Sequence, residues 1–340
     1  MTHAAPPRLL HVHTGDCAAE QHRCADPDAS AIVWCDVLHD GPLPAGTDAA
    51  AWRGARAACL SQLTGGARAP AQCLAMLEAQ DRALAAWPDY DEIVLWHDGC
   101  LYDQLLLARH LAWFAGQELG ARTLSLITCA SWPGRPAYSG LGELTGPELL
   151  SLLPSREPAS PAHYALAQTA WAALTTPAPQ ALVAARDLDW DLLPWLGRAL
   201  TRYLEQYPAP RTGLSRLEYQ AVVALAAGSR TLGDLFEHLS ALEAPPYFGD
   251  TTLWAMLDDL AHGPRPLVAL EDGEALPIWE PPKETTSRII ALTADGARVM
   301  RAELDATAIR RFDRWLGGVH LVGPRPAWRY DRHSRRLVPG

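Results

Sequence analysis

Four short apolar runs mark the first part of the chain: "RLLHVH" (8–13), "AIVWCDV" (31–37), "EIVLWH" (92–97) and "RTLSLIT" (122–128). They alternate with longer stretches whose apolar residues return at helical spacing. Near-continuous apolar runs of this length predict strands buried on both faces, and strands separated by helices predict βα units around a parallel sheet. After the third run, Leu101, Leu105, Ala108 and Ala112 recur at helical intervals, which predicts a helix with Asp98 as its N-cap and Gly116 near its end.

From "GLGELTGPELLSLLP" (140–154) onward the pattern becomes helical throughout. Thr145, Pro147 and Glu148 read as a cap, a proline in the first turn and an acid at the positive dipole end. "SPAHYALAQTAWAAL" (160–174), "QALVAARDL" (180–188) and "LPWLGRALTRYLEQY" (193–207) add three amphipathic segments before a break at Pro208 and Pro210. A third part opens with a capping box, Ser215 to Glu218. It continues with "TLGDLFEHLS" (231–240), "GDTTLWAMLDDLAHG" (249–263), a strand "PLVAL" (266–270), a strand "RIIAL" (288–292) and a helix from "TADGARVMRAEL". "EPPKETTS" (280–287) reads as a mobile wing tip, and "VHLVG-PRP-AWRYD" as a terminal hairpin. The chain therefore reads as an α/β protein. A Rossmann-like domain with a short parallel sheet covers 1–137, a helical connector 138–210, and a winged-helix-like domain with a C-terminal hairpin 211–340.

Composition narrows the class. With 49% hydrophobic and 20% charged residues, the 340-residue chain can bury sizeable cores and is not a disordered protein. No run approaches the roughly 18 apolar residues of a membrane span. "MTHAAPPRLLHVH" carries neither a basic leader nor a cleavable apolar segment, so a cytoplasmic location without membrane partners is expected. All seven cysteines lie in the first 129 residues without a CxxC pair, which fits reduced thiols. The net charge of −10 opposes general polyanion binding, yet it is uneven. Residues 310–340 hold eight arginines against two aspartates, an excess of six, so the rest of the chain carries sixteen more acids than bases.

In order along the chain, "LHVHTGD", "VWCDVLHDGP", "LWHDGCLYDQL", "GLGEL", "LSRLEYQ", "YFGDTTLW" and "RWLGGVHL" resemble bacterial proteins of the domain-of-unknown-function 1835 family. The resemblance covers most of the chain and implies an N-terminal α/β domain with helical and winged-helix-like additions. It departs from the family pattern at the second histidine, His13, and at the inserted Gly99 and Cys100. No activity is established for the family, so the resemblance assigns no catalytic residue.

Candidate chemistry follows from the strand ends, because ligands of open parallel sheets bind beyond the carboxyl ends of the strands. The first strand delivers Gly15 and Asp16, the second Asp36, His39 and Asp40, the third His97, Asp98, Asp103 and Gln104. These residue types suit a phosphorylated or nucleotide-like ligand, Mg²⁺ or Mn²⁺ held by oxygens, or proton transfer with His97, Asp103 and His39 as the reacting groups. Asp98 is expected to cap its helix while His97 and Asp103 face a crevice. Asp16 as a helix cap and Asp40-Gly41-Pro42 as a turn are the plainer alternatives. Metal-assisted hydrolysis or group transfer is the leading expectation. Two other classes stay open. One is nucleic-acid binding through Lys283, Arg288, Arg325, Arg329 and Arg332, which the acidic recognition helix with Asp250, Asp258 and Asp259 disfavours. The other is a protein-interaction scaffold. Dinucleotide, P-loop and zincin motifs are absent, and the pattern leaves the oligomeric state open.

Overall fold

The computed structural model describes residues 7–46, 48–228 and 230–340. The first six residues, part of the stretch read above for a leader, lie outside these. The chain begins with β1 (Leu9–His13), α1 (Asp16–Ala25), β2 (Ser30–Val33), β3 (Gly41–Pro42), α2 (Ala49–Leu63), α3 (Pro70–Ala85), β4 (Glu92–Asp98), α4 (Leu101–Phe114) and β5 (Thr123–Cys129). A helical middle follows, with α5 (Gly146–Ser151), the edge strand β6 (Glu157–Pro158), α6 (Pro161–Thr175), α7 (Gln180–Arg186) and α8 (Pro194–Leu204). The remainder comprises α9 (Arg216–Ala226), β7 (Arg230–Thr231), α10 (Leu232–Ala241), α11 (Asp250–Ala261), β8 (Val268–Leu270), β9 (Ile289–Leu292), α12 (Ala294–Met300) and α13 (Ala306–Ile309). Four strands end it: β10 (Asp313–Gly317), β11 (Val319–Val322), β12 (Trp328–Asp331) and β13 (Arg336–Pro339).

The protein is mixed α/β. Its largest sheet runs β2-β1-β4-β5-β6, parallel through the first four strands and antiparallel only at β6. All four apolar runs became strands. β4, "EIVLWHD", is buried from Ile93 onward because helices cover both its faces. α4 is buried almost all round and packs on α6 and α8, so it is a core helix rather than a surface one. The second run forms a shorter strand than expected. Beyond Trp34 the backbone leaves the ladder, and Cys35 donates its N–H to Gln80 on α3 at 3.0 Å.

Several expectations fail for local reasons. Asp98 does not cap α4. Gly99 carries the chain on to Cys100, which is the N-cap and makes no side-chain cap bond. Likewise Gly15, not Asp16, is the N-cap of α1, and Asp16 sits exposed in the first turn. Residues 283–287 form a 3₁₀ turn with Thr285 buried, instead of a loose tip. The expected hairpin of "VHLVG-PRP-AWRYD" does not form: its arms β11 and β12 lie in different sheets, paired with β10 and β13 in two separate hairpins. The capping boxes at Thr145–Glu148 and Ser215–Glu218 are present. The expected boundaries near 137 and 210 fall between elements, yet one hydrophobic core includes Leu105 of α4, Leu200 of α8, Leu217 of α9 and Leu316 of β10. β3 pairs with β10, which ties the first part to the last. Among the described residues no helix is long and apolar enough to cross a membrane.

The parallel-sheet core is rich in histidine. His13 and His22 share a hydrogen bond of 3.1 Å, Trp96 donates to His11 at 3.2 Å, and His97 meets His110 at 3.3 Å. Burial holds His11 and His97 at about 3 and His13 at about 2, and it also lowers His22, His39 and His110. In the unfolded chain such imidazoles take up a proton near pH 6.5. Between about pH 6.5 and 3 the unfolded state therefore binds more protons, so stability falls as pH drops through that window. Asp40, Asp98 and Asp103, raised by burial, act in the opposite sense but are outnumbered six to three. Denaturant midpoints are expected to decrease steadily from about pH 7 to about pH 5, at about 1.4 kcal/mol per pH unit for each net proton. A flat profile there would show that these histidines are not held neutral.

Candidate functional site

At the strand ends, most of the expected residues satisfy one another. His97 and Asp103 are 0% and 5% exposed, so neither faces a crevice. The Asp103 carboxylate accepts hydrogen bonds from Thr14 Oγ1 at 2.5 Å and from the Cys100 thiol at 3.2 Å. Asp98 accepts from the Leu141 backbone N–H at 2.9 Å and from Tyr138 Oη at 3.1 Å, which pins the 138–141 loop over the sheet edge. Gln104 donates to the Asp98 carbonyl at 2.6 Å. Burial, reinforced by Asp103, pushes the Asp98 carboxyl well above its ordinary range. Gly15 and Asp16 lie outside this closed network. Among the described residues no three His, Cys, Asp or Glu side chains are grouped so as to hold a metal ion, so the expected Mg²⁺ or Mn²⁺ has no converging donor set.

The second strand end behaves differently. Arg56 of α2 enters the interior and donates from all three nitrogens. Nε and Nη2 meet the two Asp36 oxygens at 2.9 and 2.7 Å, Nη1 reaches the carbonyls of Asp40 and Pro42, and Nη2 also reaches that of Val37. Both side chains of the Asp36–Arg56 pair are fully buried. The segment 36–42 is thus wrapped around one guanidinium. Gly41, at φ +77°, completes the bend where a Cβ would run into Cys59 Sγ.

This bend places His39 and Asp40 in a cleft of ≈ 710 Å³ between the α/β part, α11 and β10. That volume lies within the range of about 300–1,000 Å³ usual for small-molecule sites. His39 is 2% exposed, with its ring edge-on to Tyr247 at 5.2 Å, and neither ring nitrogen has a hydrogen-bond partner. Burial brings it down to about 3, so at neutral pH it offers one donor and one acceptor. Asp40 is half-buried beside it. Burial raises its carboxyl, and the nearby Arg314 and Arg56 offset only part of that rise. Opposite stands Glu218, which accepts from Arg314 Nη2 at 2.6 Å. Burial opposes its ionisation, but the Arg314 guanidinium outweighs that and brings Glu218 down to about 2. At the mouth, Trp315 stacks on His320 with ring centres 4.2 Å apart.

Sequence reasoning named His39, Asp40 and Asp36 but missed Arg56, Glu218, Tyr247 and Arg314. Glu218 was read only as half of a capping box, and Arg314 only as one arginine of a basic tail. The Glu218–Arg314 contact spans 96 residues and that of Gln206 with the His39 carbonyl 167, so no local spacing signals them. Of the residues expected to touch nucleic acid, Arg288 is paired with Asp272 and Arg329 with Asp305. Arg332 lies over the Tyr219 ring, while Lys283 and Arg325 are exposed.

No family model matches the chain, and no curated protein matches it. Among solved structures it is similar to one described as "Crystal structure of Plasmodium falciparum topoisomerase II DNA-binding, cleavage and re-ligation domain", with 11% identity and a TM-score of 0.40. The match covers 85% of this chain but 47% of that one, so the chain spans about half the neighbour's length. A likeness that weak carries no argument about function.

Replacing Arg56 by Met leaves Asp36 buried without its cation, and a loss of about 3–5 kcal/mol is expected in urea denaturation. Adding Asp36→Leu should recover a large part of the loss, since no unpaired charge then remains. A single-variant loss below about 1 kcal/mol would place the pair with exposed ion pairs, which contribute little.

Proposed function

We propose that the protein binds a small polar molecule in the cleft between the α/β part and the C-terminal part, and moves a proton on it through Asp40. The observation that carries this reading is His39. A neutral imidazole, 98% buried and lining the cleft with both nitrogens unpartnered, costs the fold about 1–3 kcal/mol per unsatisfied group. A ligand in the cleft would offset that cost. Asp40, adjacent in sequence and raised toward neutrality, suits general acid–base work, while Arg314 and Glu218 supply fixed charge on the opposite wall. In this reading the phosphorylated and nucleotide-like ligands expected from the sequence remain the ligand classes to test. The chemistry proceeds at the cleft rather than at His97 and Asp103.

The same reading takes the β2-β1-β4-β5 sheet as Rossmann-like and the α9-to-β9 part as winged-helix-like. It keeps the chain with the bacterial domain-of-unknown-function 1835 family on its seven motifs, and keeps a cytoplasmic location. The winged-helix-like part serves as a cleft wall. α11, in the place of a recognition helix, turns Thr252, Met256 and Asp259 to the cleft, and its acidic residues offer a phosphate backbone no cation.

The test is a thermal-shift screen against sugar phosphates, nucleotides and divalent cations, since a ligand that binds only the folded state raises the melting temperature. A stabilising compound should lose most of its effect in Asp40→Asn, which preserves shape and removes the titrating carboxyl. Equal stabilisation in Asp40→Asn, together with loss in Asp103→Asn, would move the site to the strand ends and overturn the reading.

A further inference from the structure

Tyr247 lines a second, smaller cavity as well as the cleft. This cavity, of ≈ 230 Å³, lies at the start of α4, beyond the carboxyl end of β4, and is bounded by Gly99, Leu101, Arg198, Arg202, Arg216 and Glu243. Its size falls below the usual range for whole metabolites but far exceeds a single water's share of the liquid, about 30 Å³. It has room for one compact group.

The walls are built for a negative one. Three arginines, Arg198, Arg202 and Arg216, face two carboxylates, Glu205 and Glu243, leaving one positive charge in excess. Arg202 is 8% exposed. Its Nε and Nη2 are taken by Glu243 at 2.9 and 2.7 Å, and Nη2 also donates to Tyr247 Oη at 3.0 Å. The third nitrogen, Nη1, is buried with no partner. Arg216 spends its donors on Glu205 at 2.8 Å and the Leu242 carbonyl at 3.1 Å. Arg198 lies over the Trp195 ring at 4.5 Å and has no carboxylate partner among the described residues. The fourteen-residue α4 begins here with a cap that makes no side-chain hydrogen bond, so its dipole adds to the same positive field. Gly99 is required, because a Cβ would come within 2.5 Å of Ala130 Cβ and 2.8 Å of the Trp195 ring. That close approach seats the Trp195–Arg198 stack at the helix start.

We infer that this cavity binds a phosphoryl group, as inorganic phosphate or as the phosphate of a monoester. A tetrahedral dianion can accept from Arg198, with the unfilled charge of Arg202 in the wall behind it, and guanidinium forks match phosphate oxygens. The site is separate from the acid–base residues of the cleft, so it stands whether or not Asp40 performs chemistry.

Isothermal titration of the full chain with sodium phosphate, against sodium chloride at matched ionic strength, tests it. Saturable binding of one phosphate per chain is expected, weakened about tenfold or more by Arg198→Glu, since a charge-assisted bond is lost and a repulsion added. Arg198 is exposed, so this variant should keep the wild-type melting temperature. Asp40→Asn should bind phosphate as the wild type does. Ribose 5-phosphate distinguishes the source. Binding tighter than phosphate's, with the excess lost in Asp40→Asn, assigns the phosphoryl group to a molecule that extends past Tyr247 into the cleft. Binding no tighter than phosphate's assigns a free anion. No heat beyond the chloride control, or phosphate binding undiminished in Arg198→Glu, would overturn the inference.

Discussion

Arg56 sits where no water can solvate it, and the molecule answers by folding the chain around its guanidinium. Asp36 supplies the countercharge, and the carbonyls of Val37, Asp40 and Pro42 take the remaining donors. The cost of desolvating this ion is high, so the geometry that satisfies it tolerates little deviation. Three later features inherit that geometry. The bend at Gly41 turns the chain back, Gly41 and Pro42 pair with Leu316 and Gly317 of β10, and the two residues before the bend are delivered to the cleft. One buried cation on α2 thereby decides both how the first part of the chain meets the last and which groups line the space between them.

The degree to which this was legible in the sequence follows the range of the interactions. The four parallel strands and α4 are dictated by burial on both sides, which leaves a local mark: "EIVLWH" admits water on neither face, and neither does the leucine-rich start of α4. Helix starts are local too: Ser215–Glu218 was read as a capping box, and Thr145 and Glu148 as a cap and a first-turn acid of α5. Asp98 shows how a local rule misleads. Aspartate before a helix favours capping, but Tyr138 and Leu141, 40 and 43 residues away, take its carboxylate, and the cap passes to Cys100. The cleft lay beyond reach for the same reason. Glu218 and Arg314 each have an adequate short-range explanation, so nothing in their neighbourhoods advertises that they meet.

The clustering of polar residues at the strand ends was a real signal with two different physical outcomes. Around Asp98 and Asp103 the network closes: Thr14, Cys100, Gln104, Tyr138 and Leu141 consume its capacity, and it becomes part of the core's specification, while His97 beside it meets only His110. Around His39 it stays open. Its ring contacts are aromatic, with Tyr102 and Tyr247, and these satisfy shape without satisfying nitrogen. Residue type alone cannot separate the two cases. The separation rests on which unpartnered groups border a cavity, as His39 does and His97 does not, and that accounting needs the fold.

The C-terminal part illustrates why the order of elements does not decide what they do. α11 follows two helices and precedes two antiparallel strands, an arrangement that elsewhere can present a helix to a nucleic-acid groove. Here its apolar stripe, Leu253, Trp254, Leu257 and Leu260, is buried, and its other residues are spoken for. Asp259 accepts from Arg310 at 2.9 Å, Asp258 accepts from the Leu276 backbone, and Thr252 and Met256 form cleft wall. Three of the tail's eight arginines are spent in the same way, Arg310 on Asp259, Arg314 on Glu218 and Arg329 on Asp305. Arg314 cannot also neutralise a phosphate along a duplex, because its release would leave the buried Glu218 carboxylate unpaired. These three pairs help dock the last thirty residues onto the rest, closing one side of the cleft that the Arg56 bend opens on the other.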